Sequence, residues 1–183
     1  MSFAPLSRTE PAPFRICFVC SGNICRSPMA EIVMRNIADA AGYGAQVVVS
    51  SAGTGDWHVG EPADARTVAA LGAAGLDASR HRAKQFETAW FNDLDLVVAL
   101  DRSHERILKG WAPTEADRSK VQLLLALDPT TRGTHDVPDP YYADSAMFDA
   151  VLATITSSCR ALFDQLAPAL RRERTNHERR QEA

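Results

Sequence analysis

The chain is expected to fold as an α/β protein, a three-layer α/β/α arrangement around a central four-stranded parallel sheet. Three observations carry this expectation. Four apolar runs of strand length, 14–20, 46–50, 94–100 and 121–125, alternate with longer segments of helical periodicity. Such alternation generates parallel strands joined by crossover helices that cover both faces of the sheet. The loop after the first run ends in Ser27-Pro28, which reads as an N-cap followed by proline in the first helical position.

Residues 1–13 hold three prolines and no long apolar run, and are expected to be a disordered leader before a single domain over 14–168. From Pro28 to Ala41, Met29, Ile32, Val33 and Ile37 share one helical face, and Gly42 and Gly44 stop the helix. Gln46 to Ser50 is a short β-branched strand, and Ser51 to Gly60 a glycine-rich loop carrying Trp57. Ala63 to Ala74 is alanine-rich and helical, Asp77 to Gln85 basic and irregular, and Glu87 to Asn92 a short helix. A strand at Leu94–Leu100 precedes a helix at Ser103–Trp111 and a strand at Val121–Leu125. Asp128 to Tyr142, with three prolines and Gly133, is a loop. Ser145 to Ala167 is a long helix whose apolar face carries Phe148, Val151, Leu152, Ile155, Cys159, Leu162, Phe163 and Leu166. Residues 169–183 form a charged tail, expected to fray.

At 183 residues, with 45% hydrophobic and 23% charged side chains, the chain suits one globular domain with a proper core. A net charge of -3 gives no electrostatic reason to expect nucleic-acid or membrane binding. No stretch approaches the roughly 20 apolar residues of a membrane span. The four cysteines, Cys17, Cys20, Cys25 and Cys159, accompany no secretion signal, so they read as free or catalytic rather than as a disulfide framework. The expected compartment is the cytoplasm, with export without a signal as the alternative.

The chemistry concentrates in Cys20 to Arg26. A strand, a tight loop and a helix N-terminus make an anion cradle, because backbone N–H groups and the helix dipole converge on one point. In an open parallel sheet that point lies at the carboxyl ends of the strands. Cys20 opens the loop, where a thiol ionises readily, and Arg26 closes it with a fork that grips two phosphate oxygens. A thiolate aimed into a phosphate cradle attacks phosphorus and gives a phosphocysteine that water hydrolyses. The leaving oxygen then needs a general acid from another loop.

The stretch Val19-Cys-Ser-Gly-Asn-Ile-Cys-Arg-Ser-Pro-Met-Ala-Glu31 resembles the signature of the low-molecular-weight protein tyrosine phosphatases. The resemblance covers about residues 14–167. It includes Ser51-Ala-Gly-Thr54, the Trp57 loop, His81-Arg-Ala-Lys84, Leu100-Asp101 and Pro138-Asp-Pro-Tyr-Tyr142. The Cys-x5-Arg-Ser core is shared by unrelated phosphatases, whereas this extended form with its distant Asp-Pro-Tyr is specific. The Thr54–Gly60 stretch and Gly133-Thr-His135 are most similar to the actinobacterial members.

The resemblance implies hydrolysis of phosphotyrosine with Cys20 as nucleophile, Arg26 as phosphate clamp and Asp139 as general acid, then base. Ser21, Gly22, Asn23, Ile24, Cys25 and Ser27 would complete the phosphate-binding loop, with Ser27 supporting the thiolate. Asn23 would hold the loop's shape through Ser51 and His81, with Arg80 as the alternative to His81. Trp57, Tyr141 and Tyr142 would wall a pocket deep enough for phosphotyrosine. Cys25 would form a reversible disulfide with Cys20. No cofactor or metal is implied. The implied partners are phosphotyrosine proteins, inorganic phosphate as product and inhibitor, and a tyrosine kinase acting on Tyr141 and Tyr142. Two departures stand out: Ser21, at a rim position that bears on substrate preference, and Lys84, where the family commonly has arginine.

Thiol-dependent arsenate reductases of the same fold are the alternative, but they need a relay of cysteines, and none lies between Cys25 and Cys159. A zinc site on Cys17, Cys20 and Cys25 lacks a second cysteine pair at suitable spacing. Cys17 and Cys20, three apart on a strand, point to opposite faces, which argues against a redox pair.

Overall fold

The computed structural model describes residues 12–181, so nearly all of the expected leader lies outside the described residues. Eleven elements follow in order: β1 (Phe14–Cys20), α1 (Arg26–Ala40), β2 (Val47–Gly53), α2 (Ala65–Ala73), a 3-10 turn (Thr88–Asn92), β3 (Leu96–Ala99), α3 (Arg102–Trp111), α4 (Glu115–Ser119), β4 (Val121–Leu123), a second 3-10 turn (Leu124–Leu127) and α5 (Ser145–Gln181). The strands form one parallel sheet in the order β2-β1-β3-β4. The chain leaves β1 toward β2 on one side and later adds β3 on the other. The order therefore reverses at β1, and the loop that follows Cys20 opens into that switch point.

The period-two alternation of β1 divides the interior into two layers. Ile16, Phe18 and Cys20 face the larger core, with α1, α2 and α5. Cys17 and Val19 face the smaller one, with Phe86, Phe91 and Leu108 of the α3 side. On α1, Met29, Ile32 and Val33 are buried and Ile37 is half-buried. On α5, Phe148, Val151, Leu152, Ile155, Cys159, Leu162 and Phe163 are buried, and Leu166 packs at the margin. The segment Ser145–Arg172 of α5 is long and apolar enough to cross a membrane by length and composition, unlike the sequence expectation. Here its apolar face is the wall of the larger core, against α1 and α2.

Several boundaries move for physical reasons. β2 runs to Gly53 rather than Ser50, because its ladder with β1 continues to the pair Cys20–Gly53. Gly53 is required there: a Cβ would stand 2.6 Å from the Ser21 carbonyl oxygen and 3.1 Å from the Gly22 backbone. β3 and β4 are shorter than their apolar runs, whose ends are buried in turns. Helix α4 was not expected, although Thr114 caps it by accepting from the Asp117 amide and donating to the Asp117 carboxylate. α5 passes through Pro168 to Gln181, and Leu170 is buried in the core, so residue 168 marks no structural break.

Gly72 in α2 and Gly110 in α3 meet open space where a Cβ would point, and neither has a positive φ. Gly72→Ala and Gly110→Ala should each stabilise the protein by about 0.5–1 kcal/mol, measured by denaturant unfolding. A loss of stability would contradict the open surroundings.

Candidate active site

The loop Ser21–Cys25 commits most of its carbonyls to the scaffold or to the first turn of α1. Cys20 O accepts from Thr54 N at 2.8 Å, Ser21 O from Gly55 N at 2.9 Å, Ile24 O from Asp64 N at 2.9 Å and Cys25 O from Met29 N at 3.3 Å. Asn23 O accepts from His81 Nε2 at 2.7 Å. With those carbonyls committed, the loop's amides are left for an anion. Among the described residues, none of the amides of 21–25 is spent on a backbone carbonyl.

Asn23 makes this shape possible. Its φ of 57° is left-handed, a region that asparagine tolerates. Its Oδ1 accepts from Lys84 N at 2.9 Å, which fixes the amide's orientation. Its Nδ2 then donates to Ser27 Oγ at 2.9 Å and to Ser51 Oγ at 2.8 Å. Ser51 in turn donates to Glu31, which pairs with Arg35. His81, not Arg80, reaches the loop, and burial pushes its pKa below the usual histidine value. Arg80 lines a separate groove with Glu31, Arg35 and Asp77.

Cys20 is buried, with Sγ 3.0 Å from Ser27 Oγ. The expected N-cap role of Ser27 does not hold. The helix starts at Arg26 with Cys25 as cap residue, and Ser27 Oγ lies 3.2 Å from Ala52 O, on the interior side. Because Asn23 occupies one acceptor site of that hydroxyl, its single proton goes either to Ala52 O or to Cys20 Sγ. The second choice serves a thiolate.

Arg26 closes the cradle from the opposite side, with its side chain 4% exposed. Nη1 donates to Asp101 Oδ2 at 2.9 Å and Val137 O at 3.1 Å, and Nη2 to Asp139 Oδ2 at 2.7 Å. Asp101 caps α3 through Oδ1, which accepts from Ser103 N and His104 N. Burial alone would raise its pKa, but the Ser103 hydroxyl, His104 and Arg26 hold it below the usual carboxylate value. His104 is buried, with Nε2 2.8 Å from Ser21 Oγ and Nδ1 3.1 Å from Asp101 Oδ1 in poor hydrogen-bond alignment. Burial drives its pKa down to about 4, so the ring is neutral at pH 7.

These groups open into a cleft of about 270 Å³ lined by Cys20, Ser21, Gly22, Ile24, Cys25, Arg26, Trp57, His58, Asp139, Tyr141 and Tyr142. The structure therefore brings together the nucleophile candidate, the arginine, the aspartate and all three aromatics. Trp57 and Tyr142 are 68% and 97% exposed, so they form the mouth rather than the floor. His58 covers Gly22 so closely that a Cβ there would meet its ring at 2.7 Å. Asn23, Ser27, Ser51 and His81 stand behind the loop. Sequence reasoning gave no role to Glu31, His58, Asp64, Arg66, Asp101 or His104. Asp101 and Asp64 had a usable signal, an aspartate at the N-cap of a helix.

The chain is similar to several known proteins. Residues 15–175 match the profile of the family described as low molecular weight phosphotyrosine protein phosphatase. A low molecular weight protein-tyrosine-phosphatase of Streptomyces coelicolor is 51% identical over 152 residues, covering 81% of this chain and 91% of that one. Low molecular weight protein-tyrosine phosphatase A of Mycobacterium tuberculosis is 44% identical over 162 residues, covering 87% and 96%. The crystal structure of YfkJ from Bacillus subtilis superposes with a TM-score of 0.81 at 31% identity, covering 87% and 98%.

His104 makes the fold acid-sensitive in a definite window. Its ordinary pKa of 6.5 falls to about 4 on folding, so between those values the unfolded chain binds more protons. Stability attributable to His104 is thus present above pH 6.5 and lost as the pH falls toward 4, by ~2 kcal/mol between pH 7 and pH 5. A His104→Asn variant should lose correspondingly less over that interval in denaturant titrations. Equal losses in both proteins would remove His104 as a source.

Proposed function

We propose that this chain, which belongs to the low molecular weight phosphotyrosine protein phosphatase family and is a protein tyrosine phosphatase, works through Cys20, Arg26 and Asp139. The reading rests chiefly on one contact. Arg26 and Asp139, 113 residues apart, meet at 2.7 Å across a cleft that also contains Cys20.

In this reading the phosphate oxygens enter the cradle of loop amides and take the outer guanidinium N–H groups of Arg26. The Cys20 thiolate attacks phosphorus, an S–P bond forms and the ester P–O bond breaks. Asp139 gives its proton to the departing aryl oxygen. Asp139, now a carboxylate, takes a proton from water, whose oxygen attacks phosphorus and expels Cys20. Ser27 O–H turns from Ala52 O to the departing sulfur, the alternative its single proton allows. Inorganic phosphate leaves, and as an anion fitting the same cradle it is a competitive inhibitor.

Phosphotyrosine proteins suit the cleft because Trp57, Tyr141 and Tyr142 offer aromatic faces at its mouth to a phenyl ring. Tyr142, 97% exposed, is the accessible acceptor of the tyrosine pair for a kinase. A cytoplasmic setting suits four cysteines that are all free, since a reducing compartment preserves a catalytic thiol. The cysteine-relay chemistry of arsenate reduction is not favoured: Cys17 and Cys159 are buried away from the cleft.

Asp139→Ala should slow kcat/KM by ~10²–10⁴ for aryl phosphates with poor leaving groups, and much less for strongly acidic ones. An equal loss across the series would count against Asp139 as the acid.

Cys25 lines the same cleft as Cys20, and burial, with Asp64 and Cys20 nearby, pushes its thiol up to about 12. Peroxide should therefore oxidise Cys20 to the sulfenic acid, which condenses with the Cys25 thiol, releasing water and forming a disulfide. Dithiothreitol should restore full activity, with Cys20–Cys25 found by peptide mapping. Sulfonic acid at Cys20 as the sole product would reject this guard role.

A further inference from the structure

The loop that carries Asp139 is tied to the rest of the molecule at few points. Val137 N donates to Leu100 O at 2.8 Å, and α5 begins at Ser145. Among the described residues, the hydrogen bonds that reach 138–143 from outside come from two arginines, while Asp144 already caps α5 through Met147 N. Arg26 holds the Asp139 carboxylate, and Arg66 holds two backbone carbonyls. In the mechanism above Arg26 turns to the phosphate. Arg66 is then the remaining anchor.

We propose that Arg66 is a positioning residue for the general acid, fixing Asp139 through the backbone of Tyr141. The chain of contacts starts in the cradle itself. Asp64 N donates to Ile24 O at 2.9 Å, which pins the start of α2 to the phosphate-binding loop. The Asp64 carboxylate caps α2 through Arg66 N at 2.8 Å and grips the guanidinium twice, at Nε (3.0 Å) and Nη2 (2.8 Å). So oriented, the guanidinium presents Nη1 to Ala143 O at 2.9 Å and Nη2 to Tyr141 O at 3.0 Å. Its face lies 4.4 Å from the ring of Phe148, a fully buried side chain of α5. Tyr141 N donates to Asp139 Oδ1 at 3.2 Å. One residue thus receives the arginine on its carbonyl and aims the acid with its amide.

Only a planar fork meets these demands. Two edges serve the carboxylate and the carbonyls while the face stacks on an aromatic ring; a lysine ammonium supplies the charge without the geometry. The side chains of Arg66 and Asp64 are 34% and 13% exposed, so the clamp lies behind the pocket wall, without a place in the cleft lining. A general acid displaced by about 1 Å loses much of its effect, up to ~10²-fold.

The proposal rests on the Asp139 reading, and its test separates the two. Steady-state kcat/KM is measured for a series of aryl phosphates of graded leaving-group acidity in wild type, Arg66→Met, Asp139→Ala and the double variant. Arg66→Met should lose ~10–100-fold on poor leaving groups and little on acidic ones. Inhibition by inorganic phosphate should stay near wild type, since the cradle is intact. In the Asp139→Ala background the same change should cost nothing further. A loss that is equal across leaving groups, or that adds fully to Asp139→Ala, would overturn the positioning role and leave Asp139 untouched. If Asp139→Ala itself shows no leaving-group dependence, the acid assignment fails, and the role of Arg66 falls with it. Should Arg66→Met fail to fold, Arg66→Lys carries the same comparison, and full activity in it would reject the need for a fork.

Discussion

The left-handed turn at Asn23 is the constraint on which the site depends. A loop that offers its amides to an anion must send its carbonyls elsewhere, and a right-handed helical path would instead align both along one axis. Asn23 breaks that path at a cost a short polar side chain can bear. Its amide then recovers the cost by binding Lys84 N, Ser27 and Ser51 at once. Those three partners come from three different parts of the chain. The shape of the loop is therefore set by the assembled domain, not by the loop.

Opposite Asn23, the organising problem is charge. A guanidinium that is 4% exposed must be paired, or its desolvation is uncompensated. Asp101 supplies a permanent partner, itself locked by the N-terminus of α3. Asp139, half-exposed, is the exchangeable one. This inequality is what a phosphate-transfer site needs: one carboxylate that holds the arginine in place, and one that releases it when a better anion arrives.

How much of this was legible depended on the distance over which each signal acts. β1, the onset of α1 and its stop at Gly42 follow from neighbours in sequence, and they lie close to where local patterning placed them. The apolar faces of α1 and α5 were equally readable, because helical period and burial are the same information. β2 was read three residues short because Ser51-Ala-Gly53 extends only under the influence of β1. Ser27 looked like a cap since caps are local, yet its hydroxyl serves Cys20, Asn23 and Ala52 inside the fold. Arg66 and His104 gave no signal at all. Their decisive partners are 75 and 83 residues away, and an arginine or histidine on a helix usually reads as surface charge.

The neutrality of His104 completes the electrostatic argument. Were this ring charged, it would compete with Arg26 for Asp101, loosening the arginine that must grip phosphate. Burial removes that competitor, since a buried imidazole resists protonation down to about pH 4. At Nε2 the ring shares a hydrogen bond with the Ser21 hydroxyl at 2.8 Å, its direction set by the tautomer. In either tautomer the Ser21 hydroxyl is held against the buried ring of α3. The departure of this chain at Ser21 and the buried histidine on α3 are one device, joined at 2.8 Å. A lone serine there would be free to rotate, and without it the histidine would leave Nε2, like Nδ1, without a hydrogen-bond partner.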